Sequence, residues 1–274
     1  MKYFDRTCIV EVSPDIRIDS LRLKFDIKKS IFSNQNYCRV DITNLSQITR
    51  NKITSNQTSL VRVKAGYVQN GGAVNIGQGN ISNVIHSLHN PDIVTTIYSK
   101  DGFNSIIDNN ISLSFGANTT LKSVIDTISK ELGLPIKYVD YEQNATFKNG
   151  YSHLGSIPAA LDQLGEQFKF RWSIQNDQLL IIRNDKSNGN KSVSLSAETG
   201  LIESPELVIK TKTLDLLNKN EFKVTALLQP QLEAGDLIDI KSKVLNGTFI
   251  VQELNHLGDT RGSEWFTKMI VINS

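Results

Sequence analysis

The sequence predicts a β-rich α+β protein: two small antiparallel β-barrel domains flanking a small two-layer α/β domain. Three observations predict it. Stretches with apolar residues at every second position fill both ends of the chain. Helical spacing with capping residues is concentrated in the middle. A polar run with Gly and Asn, residues 185–192 (DKSNGNKS), separates the middle from the C-terminal strands. The expected domains are residues 1–108, 109–190 and 191–274, a reasonable division for 274 residues.

The first domain reads as strands. Ile16, Ile18, Leu21, Leu23, Phe25 and Ile27 alternate with polar neighbours, apart from one slip at Asp19-Ser20 that predicts a bulge. Cys38, Val40 and Ile42 alternate again, and Leu60, Val61 and Val63 do so loosely. Between them, Leu45, Ile48 and Ile53 are roughly helically spaced and Ser46 can cap a short helix, so a one- or two-turn helix or an ordered loop is expected. The clusters Asn70-Gly71-Gly72 and Gly77-Gln78-Gly79-Asn80 are expected as punctuation between short strands. The β-branched run DIVTTIYSK closes on Asp101-Gly102, a turn signal.

In the middle, Leu121, Val124, Ile125, Ile128 and Leu132 predict a helix, with Thr119 or Thr120 as N-cap and Gly133 as C-cap. Pro135 follows, as expected just after a helix, and the strand LPIKYVDY comes next. A second helix is expected over PAALDQLGEQF, preceded by Ser156. It feeds FKFRWSIQNDQLLIIRND, where Phe168, Phe170, Trp172 and Ile174 alternate, QND makes the turn and LLII is the return strand. After the linker come LIESPELVIK, NEFKVTALL, DLIDIKSKV, NGTFIVQEL and WFTKMIVIN. Asn246-Gly247 is read as a hairpin turn, and HLGDTRGSEW as a longer polar loop between the last two strands. No clear internal sequence repeat is visible.

The composition, 39% hydrophobic and 21% charged, is that of a globular chain. No apolar run approaches the roughly 20 residues a membrane helix needs, so no membrane insertion is expected. The first residues lack the apolar centre of a secretory signal, and assembly in a cytoplasm is expected. Cys8 and Cys38 are too few for a disulfide framework and are expected as reduced, buried thiols. Residues 1–70 carry 12 Lys/Arg against 6 Asp/Glu, whereas residues 71–274 carry 18 against 22. That asymmetry fits a protein with a different neighbour on each face, or random scatter. It is not the basic stripe of a nucleic-acid reader.

Catalytic chemistry requires converging groups. His86 and His89 lie three apart in a segment that reads as strand, and His153 and His256 stand alone. No HExxH, GxSxG, P-loop or Cys/His metal spacing occurs, so no cofactor or metal is expected. Glu131, Asp140, Glu142, Asp162 and Glu166 cluster in the middle domain, mostly on helix faces where solvated charge is the default. In the loop from His256 to Trp265, Asp259 and Thr260 can bond their own backbone and Trp265 can anchor the loop or an interface.

In order along the chain, IRIDSLRLKFDIKK with CRVDITNLSQITRNKI, IVTTIYSKDGFNSIIDNNISLSFGANTTLKSVIDTI, ETGLIESPELVIK with ALLQPQLEAGDLIDI, and NGTFIVQELNHLGDTRGSEWFTKMIVI resemble the baseplate hub family of contractile-tailed phages. That family includes the late control protein D group and is related to the N-terminal part of type VI secretion spike proteins. The resemblance implies a non-enzymatic virion protein of the tail baseplate. It implies a homotrimeric ring in which each chain supplies two similar barrels. Such a pseudo-sixfold ring would sit on a hexameric tail tube, receive a trimeric spike and touch other baseplate proteins. DNA would pass its axial channel only as cargo. Because the chain stops at Ser274, a fused cell-wall-degrading segment is not expected. The residues expected at interfaces are Asn44, Leu45, Thr49, Arg50, His256, Asp259, Arg261, Trp265 and Phe266. A glycan-binding module built on the α/β unit is the alternative, and a hydrolase with an unrecognised site the third reading.

Overall fold

Alternating burial turns the predicted runs into strands: Leu23, Phe25 and Ile27 are almost wholly buried while Lys24 and Lys28 stay in water. The computed structural model describes residues 5–32, 36–56, 59–102, 110–139, 141, 144–184, 186–188, 190–208 and 220–274. The N-terminal β unit comprises β1 (Arg6–Val12), β2 (Ile16–Ile18), β3 (Leu23–Ser30), β4 (Tyr37–Thr43), β5 (Leu60–Tyr67), β6 (Gly72–His89) and β7 (Asp92–Lys100). The C-terminal β unit comprises β15 (Lys191–Ser196), β16 (Glu206–Val208), β17 (Glu221–Leu227), β18 (Leu237–Lys241), β19 (Asn246–Asp259) and β20 (Trp265–Asn273).

Helix α1 (Gln47–Ser55) lies between β4 and β5. Its N-cap is Ser46, whose side chain accepts from the backbone N–H of Thr49. Ile53 is its buried anchor. The middle of the chain holds β8 (Asn110–Phe115), β9 (Thr119–Thr120), α2 (Leu121–Leu132), β10 (Ile136–Val139), β11 (Thr146–Phe147), β12 (Tyr151–Ser156), α3 (Ile157–Phe168), β13 (Phe170–Gln175) and β14 (Gln178–Arg183). Thr120 and Ser156 cap α2 and α3, and Gly133 ends α2 in the left-handed conformation. Both helices bury their apolar stripes, Leu121 to Leu132 and Ile157 to Leu164, against Trp172, Ile174 and Leu179.

The two β units share one sheet, whose main path runs β16-β17-β20-β19-β3-β4-β7-β6-β5-β1-β2, with β18 on β19 and β15 on β18. They are joined by the β3–β19 ladder, seven register pairs from Lys24↔Asp259 to Ser30↔Glu253. Among the described residues no ladder closes either unit into a barrel. β19 has a foreign strand, β3, along half its length. Beneath the sheet the apolar side chains still separate into an N-terminal core and a C-terminal core. The middle unit is tied to the N-terminal one by Asp101, whose carboxylate accepts from the backbone N–H groups of Asn176 (2.7 Å) and Asp177 (3.2 Å) at the β13–β14 turn. Burial pushes that carboxyl up to about 6, opposed by the same two hydrogen bonds.

Local expectations are corrected in four places. The slip at Asp19-Ser20 is a bend rather than a bulge: β2 pairs with β1, whereas β3 lies at the other end of the N-terminal unit. Gly77-Gln78-Gly79 is not a turn but part of the 18-residue strand β6. Gly79 is there because a Cβ would come within 2.5 Å of the Lys100 carbonyl carbon, so the strand approaches closer than a side chain permits. Asn246-Gly247 opens β19, and the turn before it is Ser242–Leu245, closed by Ser242 N–H on the Leu245 carbonyl at 3.1 Å. His256 to Asp259 belong to β19, leaving a shorter turn before Trp265.

Candidate assembly surface

The two β units repeat one another strand for strand. In the N-terminal unit the order is β3-β4-β7-β6-β5-β1; in the C-terminal unit it is β16-β17-β20-β19-β18-β15. The registers agree as well. In the β6–β7 hairpin a shift falls between Ile81 and Asn83, and His86 lies opposite Thr95. In the β19–β20 hairpin the shift falls between Val251 and Glu253, and His256 lies opposite Thr267. Each histidine is four residues past its bulged residue, Ser82 or Gln252. Each places Nδ1 against the threonine Oγ1, at 3.0 Å for His86 and 2.9 Å for His256. On the first half of the long strands, Val63 faces Gly77 and Ile240 faces Gly247. Ile81 N–H donates to Ser59 O, and Val251 N–H to Asp236 O, both at 3.0 Å. The units differ at the far edge, where β1 runs antiparallel to β5 but β15 runs parallel to β18.

The joint between the units is electrostatic on its rim. Four basic residues of the β3 segment meet four acidic residues of the C-terminal unit: Arg22–Asp259 at 2.7 Å, Lys24–Glu264 at 2.9 Å, Lys28–Glu253 at 3.0 Å and Lys29–Glu233 at 2.7 Å. Part of the charge asymmetry is therefore answered inside the chain. Trp265 is fully buried, but among N-terminal residues, with its ring edge-on to Phe25 at 5.3 Å and the Arg6 guanidinium 5.5 Å from its centroid. Gly258 lets the Phe25 ring pass: a Cβ there would lie 2.2 Å from it.

The interface residues expected from sequence fall into two groups. Asp259 takes a bidentate pair from Arg22 at 3.1 and 2.7 Å and a third bond from Arg261 N–H at 3.0 Å. The Arg22 hydrogen bond holds its carboxyl below the usual carboxylate range. His256 is fully buried, and burial, reinforced by the Lys29 ammonium, pushes its imidazole down to about 3. Phe266 is partly buried and lies opposite both Leu257 and Leu227. Asp259, His256 and Trp265 lie at the joint between the two units of one chain, whereas Phe266 packs within the C-terminal unit. The other group builds the β4–α1 corner. Asn44, at φ 61°, donates to Asp92 Oδ1 (2.7 Å) and accepts from Ile93 N–H (3.0 Å). Leu45 is buried, Thr49 bonds Ser46, and Arg50 donates to the Leu45 carbonyl. Sequence reasoning missed β6 as an exposed edge and β3 as the basic half of the joint.

The face of the sheet away from the cores is polar. Arg39 chelates Asp41 at 3.1 and 3.0 Å, Thr96 donates to Asp41 at 2.8 Å, and Arg22, Lys24, Ile85 and His89 line the same shallow groove of about 390 Å³. Of the acidic residues of the middle unit, Asp162 accepts from Trp172 Nε1 at 2.7 Å, and Trp172 is core, while Glu131 and Glu166 are exposed on helix faces. Asp140 and Glu142 lie outside the described residues. Among the described residues no group of three or more His, Cys, Asp and Glu is arranged to hold a metal. Cys8 and Cys38 are free and buried, and burial pushes both thiols up to about 12.

The family model described as baseplate hub gp41 matches residues 7–271. The chain belongs to the baseplate hub gp41 family. The hub fold also recurs in solved structures of low identity. The 43 kDa tail protein of prophage MuSo2 from Shewanella oneidensis superposes with a TM-score of 0.73 at 12% identity, covering 98% of this chain and 97% of that one. The tail protein from Neisseria meningitidis MC58 gives 0.71 at 8% identity, covering 99% and 97%. The E. coli c3393 protein, a component of the type VI secretion system, gives 0.66 at 10% identity, covering 97% and 76%. Among curated proteins the sequence finds no match. A phage tail baseplate component is thus established at the level of family and fold.

Proposed function

We propose that this hub is a non-enzymatic symmetry adaptor of the virion: a homotrimeric ring with six near-equivalent positions, seated on a hexameric tail tube and carrying a trimeric spike. Other baseplate proteins surround it, and DNA leaves through its axial channel. The observation that carries this reading is the strand-for-strand repeat, matched to the residue by the His86–Thr95 and His256–Thr267 pairs. Three chains with two such units each present six positions, which is what a threefold object needs to meet a sixfold one. The polar sheet face, with Arg39 and Asp41 bonded to each other, suits a water-filled channel wall. Within each chain the three segments 1–108, 109–190 and 191–274 act as β unit, peripheral α/β unit and β unit. The exposed corner around Asn44, Thr49 and Arg50, and Arg261 beside the joint, are the contacts proposed for neighbouring proteins.

The test is solution mass by light scattering on the purified chain at tens of micromolar. A mass near three times 30.6 kDa, with a central hole in images, is the expected result. A chain that stays monomeric alone and with its tube and spike overturns the ring.

A further inference from the structure

The internal repeat leaves two edges unmatched. In the C-terminal unit the outer edge of β19 is filled by β3. Its counterpart in the N-terminal unit, the outer edge of β6 over residues 83–89, pairs among the described residues only with β7 on its other side. The counterpart of β3 is β16, which pairs among the described residues only with β17. One unfilled acceptor edge and one unfilled donor strand of the same repeat therefore stand on a single chain.

Both edges have the features of a joint. Ile85 (42% exposed) and Leu88 (68%) lie on β6; Ile202 (45%) and Leu207 (53%) lie on and before β16. The backbone is oriented for pairing. Ile93 directs its N–H and C=O to Asn44, on the β4 side, so its neighbours Val94 and Thr96 direct theirs to Ser87 and Ile85 of β6. By antiparallel alternation Val84, His86 and Leu88 then point their backbone groups outward. On β3, Leu23 and Ile31 bond towards the C-terminal unit; Leu207 occupies the place of Ile27, in the same phase.

We infer that the outer edge of β6 takes up β16 of a second copy of this chain as an added antiparallel strand, with His86 opposite Leu207 and Ser87 opposite Glu206. The register is that of β19 on β3, where His256 faces Ile27 and Leu257 faces Asp26. The inference rests on the ring proposed above and specifies its seam. Repeating the in-chain joint around an axis makes each chain both donor and acceptor, so that neither the β6 edge nor β16 is left open. The seam is less charged than the in-chain joint: where Arg22 meets Asp259 inside the chain, Ile202 would meet His89 between chains. Pro205, in the place of Phe25, has no N–H to give, which shortens the seam and discourages pairing in a shifted register.

Disulfide trapping tests it. Ser87 and Glu206 of neighbouring copies form a non-hydrogen-bonded pair, whose Cα atoms stand about 4.5 Å apart, within disulfide reach. The double variant Ser87→Cys/Glu206→Cys is oxidised and run without reductant, beside Ser87→Cys/Val208→Cys, which is two residues out of register. Asp26→Cys/Leu257→Cys, the in-chain counterpart, shows that oxidation is sufficient. Masses of all variants are measured by light scattering. The expected result is covalent dimers and trimers for the 87/206 pair and at least tenfold fewer for 87/208. A threefold mass with no 87/206 link, or with the 87/208 link dominant, overturns this seam and leaves the ring standing. A single-chain mass for every variant, alone and with its tube and spike, overturns the ring and the seam together.

Discussion

His86 and His256 occupy the same place in two copies of one supersecondary unit, yet one is exposed and the other has no accessible surface. Their hairpins have the same bulge, the same cross-strand threonine and the same Nδ1 contact. What differs is the neighbour beyond the strand. β19 has β3 against it, with Lys29 and Glu233 closing the rim; β6 has no strand there among the described residues, only Thr54 Oγ1 at 3.0 Å from His86 Nε2. Burial here is a property of the joint and not of the hairpin, so every contrast between the two sites measures what an added strand contributes.

The largest contrast lies at the start of the second hairpin strand. Trp265 and Ile93 are counterparts, but Trp265 is buried across the joint against Phe25 whereas Ile93 is only partly buried. Trp265→Ala is expected to destabilise by about 3–5 kcal/mol through lost burial and the cavity left behind. Ile93→Ala should cost roughly 1–2 kcal/mol, the lower range for a half-exposed aliphatic side chain. Chemical denaturation of the two variants checks the ratio. Equal losses would mean that the joint adds little to the hairpin.

The buried histidine makes the joint pH-dependent. With a folded pKa of about 3 against an ordinary value near 6.5, His256 takes up its proton first in the unfolded chain. Stability linked to this residue is therefore intact above pH 6.5 and falls as the pH drops through the window from 6.5 to 3. The slope is at most about 1.4 kcal/mol per pH unit. His86 is lowered less, by partial burial and by Arg50, and should titrate well above His256 when followed by NMR. His256→Gln should flatten the stability profile in that window relative to the parent chain. An unchanged profile would place the acid sensitivity elsewhere.

Much of this architecture is legible in the sequence and its central feature is not. Period-two alternation located β3 and β4, a β-branched run located β7, and Ser46, Thr120 and Ser156 announced their helices because a cap is a local event. Glycine misled where it serves packing: Gly79 yields to a neighbouring backbone and Gly258 to Phe25, and neither contact is local in sequence. The repeat was invisible because it is written in bulge positions and register, with few side chains shared beyond the His–Thr pairs. The excess of basic residues before residue 71 was readable. That Arg22, Lys24, Lys28 and Lys29 would meet acids more than 200 residues away was not, since only the β3–β19 ladder brings them together.

The rim of the joint should respond more weakly than its interior. Arg22 is about half exposed although Asp259 is nearly buried, so solvent screens one partner and the Coulombic gain is modest. A double-mutant cycle on Arg22→Ala and Asp259→Ala should give a coupling of about 1 kcal/mol, larger at low than at high salt. The Asp259 carboxyl has a depressed folded pKa, so its contribution is present above the ordinary carboxylate range and is lost as pH falls through the folded value. A coupling indistinguishable from zero would mean that this pair adds nothing to the joint beyond what Trp265, the backbone hydrogen bonds and the other ion pairs supply.

The smallest expected effect is at the open edge. His86→Ala removes an exposed side chain from a strand whose outer partner is missing, and in the isolated chain should change stability by no more than about 0.5 kcal/mol. Its counterpart His256→Ala leaves a cavity and a Thr267 hydroxyl without its ring partner, and should cost about 2–4 kcal/mol. The ratio is informative because sequence position, rotamer partner and register are held constant between the sites. Should His86→Ala instead cost as much as His256→Ala in a chain shown to be monomeric, the exposed state of the β6 edge would be refuted, and α1 would have to bury the imidazole through Thr54 as completely as β3 buries its twin. If the two variants diverge as monomers and converge once the chain is assembled, the difference is the strand that a neighbour supplies.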